Sequence, residues 1–206
     1  MPPIGEIATL ATDYALGVLA LVLAQRLRAV GATRAMATPF LWLAPAAFAG
    51  GTFHGVRATI GDTGKTLLWG ATSIALFAFS FSLLVSYAAP QLSPRGQRRV
   101  QAFAAAKLIV CLALLLRDPG FLWLLVDYGA SMLVLVAIYV GTAPRARATA
   151  WLCTAAVLSV IGALIQRLRF APSASFNHND LYHVVQMASM VCCYRTAREG
   201  SAHAAR

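Results

Sequence analysis

Residues 120–142 have the sequence GFLWLLVDYGASMLVLVAIYVGT, in which Asp127 is the one charged side chain. A helix needs roughly 20 apolar residues to cross the hydrocarbon core of a bilayer, so this run predicts a transmembrane helix. Comparable apolar runs recur along the chain, separated by breaks that contain charges, prolines or glycines. We predict seven spans, at about residues 7–25, 37–57, 66–89, 101–116, 120–142, 148–166 and 180–196.

The composition leaves little room for anything other than a membrane domain. Of the 206 residues, 59% are apolar and 12% are charged, whereas about one quarter of the residues of a soluble protein are charged. We therefore predict an all-α membrane protein in which residues 1–206 form one domain, a bundle of seven transmembrane helices. The net charge of +10 comes from bases between the apolar runs, which favours a topology signal over nucleic-acid binding. Membrane lipids are the predicted partners.

The bases are divided unequally between the two faces of this bundle. Alternate breaks place 12 of the 17 bases on one face, which predicts that this face is cytoplasmic and that the amino terminus is outside. The 12 bases are Arg26, Arg28, Arg34, Arg95, Arg98, Arg99, Lys107, Arg145, Arg147, Arg195, Arg198 and Arg206. The first apolar run follows Glu6 rather than a basic region, so we expect it to be retained as a span. Short loops and the lack of a targeting signal favour a multi-pass protein of a bacterial inner membrane, with a eukaryotic membrane as the alternative.

Four ionisable residues that are far apart in sequence fall at a similar depth near the outer face, namely Asp13, His54, Asp127 and His183. With a rise of about 1.5 Å per residue, they lie roughly 5–12 Å below the outer interface. An ionisable side chain at this depth costs about 2.5 kcal/mol or more, so it tends to face the bundle interior and to pair. A bound zinc ion would satisfy imidazole and carboxylate groups together. The alternative is that each residue only bonds to headgroups or bridges helices. His203, in the polar tail, is expected to be solvated.

The start of the seventh span is rich in polar residues. Asn179 or Asp180 is predicted to cap this helix, which leaves His178 in the preceding loop. On a continuous helix, His178 and His183 would point about 140° apart, so a shared metal requires the loop to fold back. Asp180 and His183 are three residues apart and share a helix face.

The end of the second span contains a pair of glycines four residues apart, Gly51 and Gly55. This Gly-x-x-x-Gly spacing predicts that another helix packs closely beside His54.

Two segments, Gly50–His54 and His178–Gln186, resemble motifs of the seven-helix hydrolase superfamily that includes alkaline ceramidases and the progestin and adiponectin receptors, the CREST superfamily. Members carry a serine four residues before a histidine on the second helix, an aspartate near the third, and two histidines four apart on the seventh, which together hold zinc. His54 and His183 match two of these histidines. Gly50 and Asn179 stand where the pattern has serine and the other histidine, and Asp62 lies near the third span.

The resemblance implies a zinc-dependent hydrolase that acts at the outer leaflet on a lipid-like amide or ester. His54, His183 and His178 would hold the zinc, and a bound water would be the nucleophile. Asp127 or Asp13 would be the base or would hydrogen-bond to a ligand. The alternative hypothesis is a non-enzymatic membrane protein, either a small-ligand sensor or a proton- or ion-handling bundle that uses the same Asp and His residues.

Overall fold

The described residues of the computed structural model, 6–30, 34–142, 146–173 and 175–201, form seven α-helices and no strand. The all-helical prediction is confirmed. Six of the helices lie within five residues of the predicted runs, and the fourth begins at Pro94, seven residues before its predicted start. Arg145, His203 and Arg206 lie outside the described residues. The helices are α1 Ile7–Ala29, α2 Arg34–Val56, α3 Asp62–Ala88, α4 Pro94–Arg117, α5 Phe121–Thr142, α6 Ala146–Leu168 and α7 His178–Ser201.

Five helices of the described chain are long and apolar enough to cross a membrane: α1, α3, α4, α5 and α6. The helices outside this set, α2 and α7, carry the two histidines that match the superfamily motifs. In α7 the polar side chains are directed into the bundle, where Asp180, His183, Gln186, Ser189 and Thr196 are all buried. These polar residues lower the mean hydropathy of α7, but they do not lie on the surface that the helix exposes.

The core is formed by helices that are adjacent in sequence and by contacts of α1 with α7 and of α3 with α5. Two buried tyrosines join distant helices within it. The Tyr87 hydroxyl donates to the backbone oxygen of Cys193 at 3.1 Å, and the Tyr139 hydroxyl donates to the backbone oxygen of Tyr87 at 3.3 Å. Helix α4 lies at the edge of the bundle, and few of its side chains are buried, among them Ala104, Lys107 and Cys111.

The predicted close packing at the end of α2 is confirmed, and the partner is α1. A Cβ atom added at Gly51 would lie 2.9 Å from the Cβ of Asp13, and one added at Gly55 would collide with Leu10. Backbones that approach this closely leave no room for a side chain at either glycine. The glycines therefore fix the position of Asp13 against the helix that carries His54.

We expect Gly51→Ala to destabilise the protein by about 1–3 kcal/mol, because the new methyl group overpacks the contact between α1 and α2. Gly70→Ala is the matched control, since Gly70 is also helical and a Cβ atom there would meet nothing within 4 Å. Thermal unfolding in detergent compares the two variants. Equal melting temperatures would show that the glycine contact is not needed for close packing.

The start of α7 differs from the prediction. Asn177 caps the helix, and its side-chain oxygen accepts from the backbone nitrogens of Asn179 at 2.7 Å and Asp180 at 3.4 Å. The Asp180 carboxylate accepts in return from the Asn177 backbone nitrogen at 2.7 Å and from the Thr9 hydroxyl at 2.6 Å. This reciprocal capping box makes His178 the first residue of the helix. The prediction that Asn179 or Asp180 is the cap, with His178 in a loop, is therefore wrong.

Candidate functional site

A cavity of about 270 Å³ lies at the end of the bundle where α1, α3, α5 and α7 begin and α2 ends. Asp13, His54 and His183 all line it, on three different helices. Most of the remaining wall is apolar, with leucine, alanine and aromatic side chains. A mostly apolar cavity with a few convergent polar groups is the usual form of a small-molecule site.

His183 is held by two residues of α1 through both of its ring nitrogens. Its Nε2 lies 3.2 Å from an Asp13 carboxylate oxygen, and its Nδ1 lies 3.0 Å from the Thr12 hydroxyl. Asp13 and His183 are buried, at 5% and 7% exposure. A Cβ atom added at Gly50 would lie 3.5 Å from the second Asp13 oxygen, so the carboxylate extends toward α2. Asp13 is therefore fixed between α7 and α2.

His54 is held from one side by a carboxylate. The Nδ1 atom of His54 lies 2.6 Å from one oxygen of Glu6, whose other oxygen accepts from the Arg57 guanidinium at 2.7 Å. Within the part of the chain that the structure describes, Nε2 of His54 has no hydrogen-bond partner. A carboxylate that receives Nδ1–H orients an imidazole so that Nε2 is its basic nitrogen, as in acid–base and metal-binding histidines.

Two candidate residues that the resemblance suggests, His178 and Asp62, lie away from the cavity. His178 starts α7 and precedes His183 by five residues, so their side chains point about 140° apart. Asp62 is the first residue of α3, and its side chain is 98% exposed and paired with Lys65 at 3.0 Å. Neither residue lines the cavity.

Asp127 lies behind the cavity wall, in a buried ion pair with Lys107 of α4. The Lys107 ammonium also donates to the Ser80 hydroxyl at 3.1 Å, and Ser80 is 2.9 Å from the Ser131 hydroxyl. The Asp127 and Lys107 side chains are 1% and 8% exposed. The sequence predicts that Lys107 is one of the bases of the cytoplasmic face, and this prediction is wrong. Lys107 lies within α4, where it compensates the charge of Asp127.

The described ranges contain no group of three or more His, Cys, Asp or Glu residues placed to hold one metal ion. His54 and His183 line the same cavity, but the predicted third ligand, His178, lies on another face of α7. Zinc binding stays a prediction, and elemental analysis of the purified protein tests it.

A chain of aromatic rings runs past the cavity, and Trp69, Phe121 and Tyr182 line it. The ring centres of Phe53 and Trp69 are 5.7 Å apart, those of Trp69 and Phe121 are 6.4 Å apart, and those of Phe121 and Tyr182 are 6.0 Å apart. These contacts join α2, α3, α5 and α7. Tryptophan and tyrosine are enriched at membrane interfaces, where one edge of the ring is wet.

A family model matches residues 8–202, and its description is a family of unknown function (DUF6962). The chain belongs to the DUF6962 family. No curated protein and no solved structure matches the chain. The DUF6962 match includes Asp13, His54 and His183, whereas Glu6 precedes the matched residues.

Three residues around the site of this DUF6962 member were not singled out by the sequence analysis as site residues. Glu6 precedes the first span and meets His54 across 48 positions, so no sequence spacing connects them. Thr12 is adjacent to Asp13 and is an ordinary polar residue of a helix. Gln186 had a signal, because it follows His183 by three residues and therefore shares its helix face.

Proposed function

We propose that this DUF6962 member is a membrane-embedded hydrolase that cleaves a lipid-like ester or amide in the cavity. The observation that carries the proposal is the His54 imidazole, held at Nδ1 by Glu6, lining an apolar cavity that also contains Asp13 and His183. An oriented histidine beside a space for a substrate is the requirement for general acid–base catalysis.

In this proposal, His54 activates water. Nε2 takes a proton from a water molecule while the water oxygen attacks the carbonyl carbon of the substrate, and Glu6 stabilises the imidazolium that forms. The bond between the carbonyl carbon and the alkoxide or amine then breaks, and the imidazolium returns the proton to that leaving group. The products are a fatty acid, which keeps the water oxygen and one of its hydrogens, and an alcohol or amine, which receives the other hydrogen.

Asp13 supplies the polar group that the superfamily pattern places on the second helix. That pattern has a serine four residues before the histidine, and the corresponding residue here, Gly50, has no side chain. A carboxylate oxygen of Asp13 lies beside this glycine, and His183 holds the other oxygen. We therefore assign Asp13 and His183 to binding the polar part of the substrate, opposite the apolar wall.

We further propose that all seven helices cross the membrane, with the cavity in the outer half of the bilayer. Five helices are apolar enough by themselves, and the buried polar residues of α7 face the bundle rather than lipid. The end of the bundle opposite the cavity carries more bases than the cavity end, even after Lys107 is removed from the count. This excess supports a cytoplasmic location for the opposite end.

We expect a reporter fused after Arg206 to be active only if it functions in the cytoplasm. A cytoplasmic fluorescent protein and a phosphatase that folds only outside the cytoplasm, fused at the same residue, compare the two locations. High phosphatase activity with no fluorescence would reverse the proposed orientation.

The proposed reaction is tested by incubating purified protein with a panel of single-chain lipid esters and amides in detergent. We expect release of free fatty acid from at least one of them, measured by mass spectrometry, and at least about a hundredfold slower release by His54→Ala. A panel without any product from the wild-type protein would favour the non-enzymatic sensor or ion-handling protein instead.

A further inference from the structure

Gln186 is a buried polar residue that the proposed chemistry does not use. It lies one helical turn beyond His183 on α7, lines the cavity and is 6% exposed. Among the described residues, none forms a hydrogen bond with its side-chain amide, and the amide atoms are not among the buried polar atoms without a partner, so they are accessible from the cavity. The other cavity glutamine, Gln166, differs because it donates to the Asn179 side chain at 3.0 Å.

An amide that faces a cavity forms its hydrogen bonds with water there or with a ligand group that replaces the water, and a ligand that displaces the water without replacing its hydrogen bonds loses affinity. The Gln186 amide offers two N–H donors and one oxygen acceptor. A single ligand group that both donates and accepts, such as a hydroxyl or a secondary amide, would use both sides of this amide. A purely apolar ligand would leave the amide unpaired.

The charges around the cavity argue against an anionic ligand. Its described lining contains Asp13 and two histidines but no lysine or arginine. The nearby Arg57 is already bound to Glu6. A phosphate would also find the start of α7 occupied, because the backbone nitrogens of Asn179 and Asp180 are bonded to Asn177. Phosphate sites in proteins rely on such cations or free helix N-termini.

We propose that Gln186 binds an uncharged hydroxyl or amide group of the ligand, so that the cavity selects neutral single-chain amphiphiles and excludes phosphorylated ones. The identification of this ligand as the substrate rests on the proposed hydrolase function. The cavity volume of about 270 Å³ is near the lower end of ligand-site volumes, which suits one polar head and the start of one chain.

The test is equilibrium binding of two probes that cannot be hydrolysed at an ester or amide, 1-O-dodecylglycerol and 1-O-dodecylglycerol 3-phosphate. Full-length protein in detergent is titrated with each probe, and bound ligand is counted by native mass spectrometry. We expect the wild-type protein to bind dodecylglycerol at least about tenfold more tightly than its phosphate.

Gln186→Leu removes the amide at nearly constant volume and should weaken dodecylglycerol binding by about tenfold or more. Gln101→Leu is the matched control, because Gln101 is exposed on α4. The affinity of this variant for dodecylglycerol should equal that of the wild type. If Gln186→Leu does not fold, as judged by thermal unfolding, Gln186→Met provides the same comparison. Unchanged affinity in a folded Gln186 variant, or equal binding of both probes by the wild type, would overturn the proposal.

The binding test is separable from the test of hydrolysis. Selective binding that depends on Gln186, in a protein that cleaves no lipid ester or amide, would remove the hydrolase function and keep the ligand site. Cleavage without a contribution from Gln186 would keep the hydrolase and remove this inference.

Discussion

His54→Ala is expected to lower the rate of lipid ester or amide hydrolysis at least about a hundredfold, because it removes the proposed base. General acid–base catalysis by one side chain contributes roughly 10²–10⁴-fold to a rate. The variant should remain folded, since His54 makes one side-chain hydrogen bond near the end of α2. Fatty acid release at saturating substrate, together with thermal unfolding, separates lost chemistry from lost structure.

Glu6→Gln examines how His54 is positioned. Glutamine keeps the size of the side chain but removes the charge that stabilises an imidazolium, so kcat should fall by about 10–100-fold while KM changes little. A residue with a merely structural role would change KM and stability together. Asp62→Asn is the control, because this exposed carboxyl lies outside the cavity. Full kcat in Glu6→Gln would remove the carboxylate from the mechanism.

Lys107→Met is expected to be the most destabilising single substitution in the bundle. It leaves the Asp127 carboxylate buried without its counter-ion, and breaking a buried pair from one side costs about 3–5 kcal/mol. Helix α4 buries few other side chains, so this ion pair is a main attachment to α3 and α5. A large fall in melting temperature, or loss of folded protein from the membrane, measures the effect.

Two further variants separate charge compensation from other causes. The double variant Lys107→Met with Asp127→Leu removes both charges, and it should recover most of the lost stability. Lys65→Met changes the other lysine of the chain, which belongs to an exposed pair and should have little effect. If Lys107→Met were stable but inactive, Asp127 would return to the catalytic residues. Because Asp127 pairs with Lys107 outside the cavity, Asp127→Asn should lower the melting temperature and leave kcat of the folded protein nearly unchanged.

The sequence was sufficient for features that depend on position along a helix. Apolar runs mark the helices, and depth places Asp13, His54 and His183 at one end of the bundle, where they line the cavity. The direction in which a side chain points around its helix is harder to predict from the sequence. Asp127 lies at a depth similar to theirs but faces α4, because its charge is compensated there by Lys107.

The other wrong predictions concern contacts between helices, which the spacing of residues in the sequence does not reveal. Lys107 lies inside the predicted fourth span, 101–116, although the charge count assigns it to the cytoplasmic face, and only the packing of α4 against α5 shows its partner. The cap of α7 was placed at the wrong residue because Asn177, Asn179 and Asp180 are all good capping types. Tertiary contacts with Thr9 of α1 select the observed arrangement.

The contact between α1 and α7 has a consequence for the order of biosynthesis. Thr12 and Thr9 meet His183 and Asp180 across 171 positions, so Asp13 has no imidazole partner while the ribosome is making the intervening helices. An unpaired aspartate costs about 2.5–3.5 kcal/mol at the centre of a spanning helix, and Asp13, in the first third of α1, still carries part of this cost during insertion. We expect α1 to stay beside the insertion machinery, or shielded by α2 through the glycine contact, until α7 emerges. Chains arrested before α7 should therefore be substrates for membrane quality control.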